Sequence, residues 1–326
     1  MPAEKKNRVW RVRPEWPFLL FLLSLVAAYL SLVILMVGAN VFAASWDSLP
    51  QTLANEEIQS AIGLSFRTSL ATALLSVLVA VPVGYFMSRF EFRGKALLDS
   101  LIDVPVLLPP LTVGLSLLLI FNQLSLSTTL GILAMGFVIS FFGTWVGKAP
   151  RQVVVFFGLV TVILTLGAFW WLDEEVTAEV ALGEAGIPVT FRPIAVVLAQ
   201  FPVAAAFAIR MMRTHFDEIN PRLESVAMTL GCHRGMIFRQ VILPISGRAV
   251  LAAGTMAWAR ALGEFGPILV FAGATRGRTE VLSTSVYLEL TIGNISGAAA
   301  LSLLMIALAV SAIFATRLLI GKGGRG

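Results

Sequence analysis

Two ionisable residues of opposite charge, Arg260 and Glu264, lie four positions apart inside an apolar stretch of the sequence. Residues four apart share one face of a helix, and at 1.5 Å per residue Arg260 would lie roughly 18 Å into its span. Ionised groups at such depth are costly unless they pair or face water. The pair is therefore predicted either to form a structural ion pair between helices or to contact a charged substrate, and both interpretations stay open at this point.

The cysteines and histidines of the chain exclude several kinds of chemistry. Cys232 is the only cysteine, so an intrachain disulfide and a thiolate metal cluster are both excluded. His215 and His233 lack ligand spacing with any carboxylate pair, and we expect no metal site, no cofactor and no catalytic residues in this chain. The sequence also contains no Gly-x-x-x-x-Gly-Lys-Ser/Thr loop and no Ser/His/Asp arrangement. Any energy that the protein uses must therefore come from outside this chain.

Composition places these residues in a membrane. Hydrophobic residues make up 57% of the 326 residues and charged residues 13%, and the mean hydropathy is +0.87. A soluble domain of this size and composition would not stay in solution. The net charge is +5, but the basic residues fall in short clusters between apolar runs, so they indicate membrane topology and no nucleic-acid partner is expected.

Eight apolar stretches are long enough to cross a bilayer, for which about twenty residues suffice. They are residues 18–38, 64–88, 103–122, 128–147, 153–172, 191–213, 249–272 and 295–316. Short cytoplasmic loops are rich in Lys and Arg, and alternation of the basic and acidic loops predicts that both termini lie inside. The loop with Arg276 and Arg278 alone breaks this rule, because it falls outside. The alternative for the first stretch is a cleaved secretory signal, although its apolar run exceeds the usual length of such a signal.

The long basic segment 221–247, PRLESVAMTLGCHRGMIFRQVILPISG, has the pattern of a docking element. Asn220 can cap a first helix whose first turn contains Pro221. Gly231 suits the left-handed position that ends that helix, and a second short helix can follow until Pro244 stops it. An apolar side for a cleft on a partner protein is predicted at Leu223, Val226, Ala227, Leu230, Ile237, Phe238 and Val241. The alternative is an amphipathic linker that lies on the membrane.

Residues 223–244 resemble the cytoplasmic EAA loop of ABC-importer permeases, in which a short helix seats in a cleft of the ATPase subunit. Gly231, the phenylalanine seven residues later and the closing leucine-proline match that loop. Many members have a glutamate where this chain has Ser225, and here Glu224 stands one place earlier, which weakens any role for Glu224 alone. The resemblance implies coupling to an ATPase through Glu224, Ser225, Ala227, Leu230, Gly231, Phe238, Val241, Leu243 and Pro244.

Two further motifs narrow the resemblance. Residues 260–273, RALGEFGPILVFAG, and residues 107–114, LLPPLTVG, look like the permeases for molybdate, tungstate and sulfate, which import tetrahedral oxyanions. With residues 64–122 and 191–316 the resemblance covers most of the chain. It implies the permease subunit of an ATP-driven, binding-protein-dependent importer in the cytoplasmic (inner) membrane. Molybdate or tungstate is the first expectation for the substrate, and sulfate or thiosulfate is the alternative.

The same resemblance implies partners and a pathway. The partners are cytoplasmic ABC ATPase subunits, an extracytoplasmic substrate-binding protein, the lipid bilayer and a second permease, with a homodimer preferred over a heterodimer. Pathway or gate residues are expected at Thr112, Ser116, Thr255, Arg260, Gly263, Glu264 and Gly266. The hydroxyls are neutral donors that would not trap a dianion, but hydroxyls in membrane helices also bond their own backbone. The glycines permit a break in a gate helix, or they serve only in packing.

The predicted organisation is an all-α polytopic bundle. About six core helices are interrupted by an inserted two-helix hairpin, which gives about eight spans. The parts are a basic N-terminal segment 1–17, a transmembrane helix 18–38, permease core 64–122 and 191–316 with coupling loop 217–247, insertion 123–190 and tail 317–326. One of the two inserted stretches could instead be re-entrant or surface-lying. Two rival classes remain: an ATPase-independent anion transporter or channel, and a membrane-embedded assembly or signalling subunit.

Overall fold

The computed structural model describes residues 16–44, 54–92, 94–146 and 176–321, together with six residues between 159 and 166. Within these ranges the regular structure is helical, and one isolated bridge joins Ser125 to Thr177. The helices are α1 (Trp16–Ala43), α2 (Glu56–Arg89), α3 (Lys95–Leu107), α4 (Pro110–Asn122), α5 (Leu126–Val146), α6 (Ala178–Glu184), α7 (Pro193–Glu218), α8 (Arg222–Thr229), α9 (Arg234–Ile245), α10 (Gly247–Leu262), α11 (Gly266–Phe271), α12 (Leu282–Thr291) and α13 (Ile295–Gly321).

Helices α2, α7 and α10 pack on one another and form the centre of the bundle. Their contact is lined by alanines such as Ala80, Ala208 and Ala257, each of which is fully buried. Small side chains let membrane helices approach closely, so that packing and backbone contacts replace a hydrophobic driving force that lipid does not provide. Ile237 and Ile242 of α9 join the same cluster. The segment predicted to dock on a partner is therefore built into the base of the central bundle.

The outer surface of the bundle is that of a multi-pass membrane protein. Helix α1 leaves its apolar side chains exposed along its length, for example Leu20, Leu23 and Ile34, and it packs only against α13 among the contacts described. Such a surface is stable against lipid tails and would aggregate in water. Three described helices are long and apolar enough to cross a membrane, and the number rises to five if each of two bent helix pairs is one span. The figure of about eight spans and the N-in, C-in orientation stay predictions.

One predicted span, 103–122, is broken in the structure. Helices α3 and α4 meet at an angle of 106°, because Leu108 and Pro109 between them are extended, with ψ angles of 143° and 135°. Each of these residues precedes a proline, and a proline disfavours the helical conformation of the residue before it. The predicted span 249–272 is likewise divided into α10 and α11 by Gly263, Glu264 and Phe265.

The two described ends of the insertion 123–190 are joined to each other. Ser125 and Thr177 form the isolated antiparallel bridge, and the amide of Leu126 donates to the Val176 carbonyl at 2.7 Å. Between these residues α5 covers much of the first predicted inserted span. The second predicted span, 153–172, falls mostly outside the described residues, as do the N-terminal basic cluster and the acidic residues Asp173, Glu174 and Glu175.

Candidate functional site

The first helix of the docking segment has the ends that its sequence predicts. The side chain of Asn220 accepts a hydrogen bond from the Arg222 amide at 3.0 Å and caps α8. At the other end Gly231 has a φ of 87°. The amides of Gly231 and Cys232 donate to the carbonyls of Met228 and Ala227 at 3.0 and 3.1 Å, which is the Schellman pattern of a glycine C-cap. Gly231 therefore sets the angle at which the second helix leaves.

The second helix, α9, differs from its predicted form at the C-terminal end. His233 caps it, since its Nδ1 accepts from the Met236 amide at 3.1 Å. The helix was predicted to stop at Pro244, but it continues to Ile245 and then bends by 72° into α10. A π-helical turn at Phe238–Ile242 precedes the proline. That wider turn accommodates a residue that lacks an amide hydrogen and would clash with the carbonyl four positions before it in a regular helix.

Glu224 anchors the docking segment to the membrane bundle. Its carboxylate accepts from Arg89 Nε at 2.5 Å and from the Tyr85 hydroxyl at 2.9 Å. The side chains of Arg89 and Glu224 are only 11% and 14% exposed, so the ion pair is shielded from water. Arg89 also donates to the Ile219 carbonyl at 2.9 Å. The offset from the usual EAA position had weakened the case for Glu224, yet this residue ties α8 to the end of α2.

Aromatic contacts beside this ion pair also join segment 221–247 to α2. The ring of Tyr85 lies 4.7 Å from that of Phe238 and 5.6 Å from that of Phe216, measured between centroids. The guanidinium of Arg234 lies 5.2 Å from the Phe90 ring centroid, within cation–π range. The sequence patterns did not indicate that Tyr85, Arg89 and Phe90 belong to this site. Their only signal was their place at the basic end of an apolar stretch, an end that the charge rule predicts to lie on the inner side of the membrane.

The apolar residues predicted to share one side of the docking segment are divided between two surfaces. Ala227, Ile237, Phe238, Val241 and Leu243 pack against the central cluster of the bundle. A second set is exposed and faces away from that cluster, and it comprises Leu223, Val226, Met228, Leu230 and Met236. Ser225 and Pro244 are exposed as well. The segment therefore has an inner face that belongs to the permease and an outer apolar face available to a partner.

The two motifs LLPPLTVG and RALGEFGPILVFAG lie against each other, in the contact of α4 with α11. A Cβ added at Gly266 would stand 2.8 Å from Pro110 Cβ, and one added at Gly114 would stand 2.8 Å from Pro267 Cα. In each motif, the missing side chain of a glycine thus leaves room for a proline of the other motif. Close approach of backbones at glycine is common where membrane helices cross, and here it fixes α4 to the broken end of the α10–α11 pair.

Arg260 and Glu264 form an ion pair within one helix end. Arg260 Nη1 and Glu264 Oε2 lie 2.5 Å apart, although the contact lacks hydrogen-bond geometry. The Glu264 side chain is 2% exposed and the Arg260 side chain 33%, so the carboxylate is enclosed and the guanidinium is partly open. The ion pair is local to the end of α10, so it does not join two helices, as the first of the two interpretations predicted. Contact with a charged substrate stays a prediction. The Glu264 backbone carbonyl accepts from the Ser283 hydroxyl at 2.7 Å, which fixes the loop between α10 and α11.

The three predicted hydroxyl donors have different surroundings. Thr112 and Ser116 are exposed one turn apart on α4, where they could reach a ligand. The hydroxyl of Thr255 donates to the Leu251 carbonyl of its own helix at 2.9 Å. That bond satisfies the donor locally, which is the common state of a threonine in a membrane helix. Thr255 is therefore the weakest of the three as a pathway residue.

Arg276, one of the two arginines in the loop that breaks the charge rule, is compensated by two carboxylates. Its Nη1 lies 2.9 Å from Glu57 Oε2, and its Nη2 lies 3.1 Å from Glu289 Oε1. The hydrogen bond to Glu57 raises the pKa of the Arg276 guanidinium above its usual value. An arginine held between two glutamates brings little net positive charge to its loop, so Arg276 does not argue against an outer position.

Comparisons with known proteins cover nearly the whole chain. No family model matches it. It is 28% identical over 314 residues to a probable molybdenum ABC transporter permease protein of Haloferax volcanii, a match that covers 96% of this chain and 94% of that protein. It is 24% identical over 307 residues to the sulfate transport system permease protein CysT of Escherichia coli, which covers 94% of this chain and 91% of that protein.

A solved structure shares the fold. One chain of the crystal structure of a bacterial alginate ABC transporter, in complex with an alginate pentasaccharide-bound periplasmic protein, superposes with a TM-score of 0.64 at 16% identity. The match covers 96% of this chain and 97% of that chain. The resemblance inferred from segment 221–247 and the two motifs is thereby confirmed: this chain has the fold found in a bacterial ABC transporter, and its sequence is similar over most of its length to molybdenum, molybdate/tungstate and sulfate ABC permeases.

Proposed function

We propose that this chain is the transmembrane permease subunit of an ATP-driven importer for a tetrahedral oxyanion, with molybdate or tungstate as the first candidates. The observation that carries the proposal is the division of segment 221–247 into two faces. Its inner face is built into the bundle, and its outer face presents Leu223, Val226 and Leu230 to solvent. A buried inner face and an exposed apolar outer face are what a separate motor subunit needs in order to push on the bundle.

The proposed route of force begins at the outer face of α8. A push on α8 reaches α2 through the ion pair of Glu224 with Arg89, which is short and shielded. A push on α9 reaches the central cluster through Ile237 and Ile242, both of which are fully buried. Since α9 continues into α10, the movement is carried to the break at which Glu264 lies. Packed interiors transmit such displacements because they deform little.

The assembly that follows from this proposal has two permeases, two ATPases and an external binding protein that delivers the anion. The docking segment and both termini face the cytoplasm, and the permease lies in the cell inner membrane. Closure of the ATPases would turn the permeases from inward-facing to outward-facing. The catalytic chemistry of ATP hydrolysis belongs to the separate subunits.

The substrate class is supported by the names of the relatives and by the polar groups of the bundle. Relatives from Haloferax volcanii and Bacillus subtilis are named as molybdenum permeases, and the one from Pyrococcus abyssi as a molybdate/tungstate permease. A partly open Arg260 whose charge is balanced by Glu264 suits a doubly charged anion that must bind weakly and leave again. Sulfate and thiosulfate are the alternative substrates.

The test is uptake by the full complex in proteoliposomes. Labelled molybdate uptake is expected to require ATP, the ATPase subunit and the binding protein, and competition by unlabelled tungstate or sulfate ranks the anions. Anion flux down a gradient through the permease alone would instead support a channel or secondary transporter. The complete absence of flux from the full complex would favour an assembly or signalling subunit.

Coupling is tested by Gly231→Val. Valine in the left-handed region costs about 1–2 kcal/mol or more, and it would turn α9 away from α8. ATP hydrolysis is expected to continue while uptake per ATP falls by about tenfold or more. The matched control is Gly247→Ala, since Gly247 lies in a helix, has no neighbouring atom within 4 Å of an added Cβ and should tolerate the methyl group. Normal uptake by Gly231→Val with its ATPase assembled would refute the coupling role.

A further inference from the structure

Residues 189–191, at the end of the insertion and just before α7 begins, have an unusual backbone. Phe191 has a φ of 57°, and among the described residues it alone has a positive φ without being a glycine. The left-handed conformation brings Cβ close to the following carbonyl oxygen, so a bulky residue adopts it only when its surroundings require it. Burial of the ring is not that requirement, since 55% of Phe191 is exposed. Contacts of the neighbouring residues must therefore hold this backbone.

The first of these contacts comes from Glu179, in helix α6 of the insertion. Its two carboxylate oxygens accept hydrogen bonds from the amides of Val189 and Thr190, at distances of 2.9 to 3.2 Å. Hydrogen bonds from backbone amides to a carboxylate are charge-assisted and stronger than those between neutral groups. Glu179 therefore fixes the direction in which the chain enters Phe191.

The same segment contacts the C-terminal ends of α4 and α11. Thr190 Oγ1 accepts a hydrogen bond at 3.1 Å from Nδ2 of Asn122, the last residue of α4. Val189 is buried in one apolar cluster with Ala272, the residue that follows α11. Residues 189 and 190 thus lie between α6 on one side and the ends of two core helices on the other.

The Phe191 ring contacts the last residue of the motif RALGEFGPILVFAG. A Cβ added at Gly273 would stand 3.2 Å from Phe191 Cδ1. Gly273 also has a positive φ, of 73°, so the two residues that meet here both have left-handed backbones. The missing side chain of Gly273 leaves room for the ring, and the ring in turn lies over the end of α11.

The α4–α11 pair is therefore held at both of its ends. Near the N-terminal ends, the glycine–proline contacts at Gly266 and Gly114 join the two helices. Near the C-terminal ends, the rings of Phe121 and Phe271 lie 5.3 Å apart, measured between centroids, and residues 189–191 contact both helices. The N-terminal contacts belong to the core motifs, whereas the C-terminal ones depend on the insertion.

We infer that residues 189–191 form a strap through which the insertion positions the α4–α11 pair, and that Glu179 is the positioning residue of this strap. The inference rests on the proposed import function, because the pair contains the predicted gate residue Gly266. With the C-terminal ends held, a displacement that arrives through α10 turns α11 about the strap instead of shifting the whole pair. Packed helices transmit such a displacement because they deform little.

Helix α6 contains a matched control for Glu179. Glu184 ends the same helix, and its side chain is exposed. Glutamine at either position removes one negative charge from the same short helix, but only the change at Glu179 weakens the hydrogen bonds to the strap.

The first experiment measures molybdate uptake and ATP hydrolysis by the full complex in proteoliposomes. Glu179→Gln is expected to lower the number of anions transported per ATP about tenfold, because the charge-assisted bonds to two amides are lost. Glu184→Gln is expected to change it by less than about twofold, as for most surface substitutions. Equal losses in the two variants would overturn the role of the strap, since they would reflect only the charge of α6.

A rescue experiment tests whether the loss comes from the released strap. Asn122→Cys and Thr190→Cys are combined with Glu179→Gln in a Cys232→Ala background, and a short, reducible bifunctional thiosulfonate joins the two thiols. The crosslink replaces the hold that Glu179 supplied, so the crosslinked complex is expected to transport several times more molybdate per ATP than the same complex after reduction. Equal transport before and after reduction would contradict the inference.

A third experiment measures the position of the strap without transport. Ala272→Cys in a Cys232→Ala background places one thiol at a position that is fully buried beside the strap. Its modification rate in the assembled complex follows the population of opened arrangements, which should rise about tenfold with Glu179→Gln and less than about twofold with Glu184→Gln. Unchanged rates in both variants would overturn the strap. Absence of molybdate uptake by the unchanged complex would count against the proposed function, while the thiol rates would still test the strap.

Discussion

Arg89 donates a hydrogen bond from Nε to the Glu224 carboxylate at 2.5 Å, across 135 residues of sequence. The contact connects the end of the long helix α2 to α8, the first helix of segment 221–247. Because both side chains are nearly buried, the bond is worth more than an exposed ion pair of the same length. It is the structural reason why α8 and α2 are expected to move together.

Glu224→Gln is expected to weaken coupling. The change leaves the guanidinium of Arg89 without its charged partner, which should cost about 1.5–3 kcal/mol of stability at this contact. The number of anions transported per ATP hydrolysed should fall, while the ATPase activity of the complex persists. The control is Thr229→Ala, because the Thr229 hydroxyl is exposed and donates to the Val226 carbonyl of its own helix. Should both variants transport normally, the ion pair is not part of the force route.

Gly114→Val is expected to separate the two motif helices. An added Cβ at Gly114 would stand 2.8 Å from Pro267 Cα and 2.9 Å from the Pro267 carbonyl oxygen, and backbone atoms cannot move aside cheaply. Overpacking of this kind costs about 1–3 kcal/mol. The melting temperature of the detergent-solubilised permease should fall, and uptake should fall with it. Gly131→Ala is the control, since nothing lies within 4 Å of its added Cβ, and an equal loss there would contradict the packing argument.

Arg276→Gln tests whether the arginines of the loop 272–281 stabilise the structure or attract the anion. The variant leaves Glu57 and Glu289 without their common partner, so the melting temperature should fall by an amount that corresponds to about 1–3 kcal/mol. Arg278→Gln changes an exposed residue of the same loop and should leave stability nearly unchanged. If Arg278→Gln instead lowers uptake at low salt, long-range attraction of the anion or binding protein is the better explanation for this loop.

The stability of the loop 272–281 is expected to depend on pH through Glu280. Burial raises the pKa of Glu280 above its usual value, while Ser285 and Arg276 act in the opposite direction. The folded state therefore favours the protonated form, and the free energy of unfolding should fall as the pH rises from 4.5 through the raised pKa. The side chain of Glu280→Gln cannot ionise. The melting temperature of this variant should therefore exceed that of the unchanged protein by more at about pH 8 than at about pH 5. A constant difference between the two proteins would argue against this titration.

Local sequence rules for helix ends were enough to predict much of the structure of segment 221–247. The cap at Asn220 and the left-handed turn at Gly231 depend on residues within a few positions, and the structure has both. The break before Pro110 had a signal of the same kind, because two successive prolines force Leu108 and Pro109 to be extended. The span prediction missed it because hydropathy averages over a window and does not register a single bend.

The sequence by itself determined the class of this protein: an apolar composition dictates membrane helices, and three local motifs dictate the resemblance to oxyanion permeases. Only the tertiary structure decided which charges meet. It paired Glu224 with Arg89, placed Arg276 between Glu57 and Glu289, and joined Arg210 to Asp103. The physical reason is that caps and prolines act through neighbouring backbone atoms, whereas an ion pair between distant residues depends on how whole helices pack, which no local pattern records.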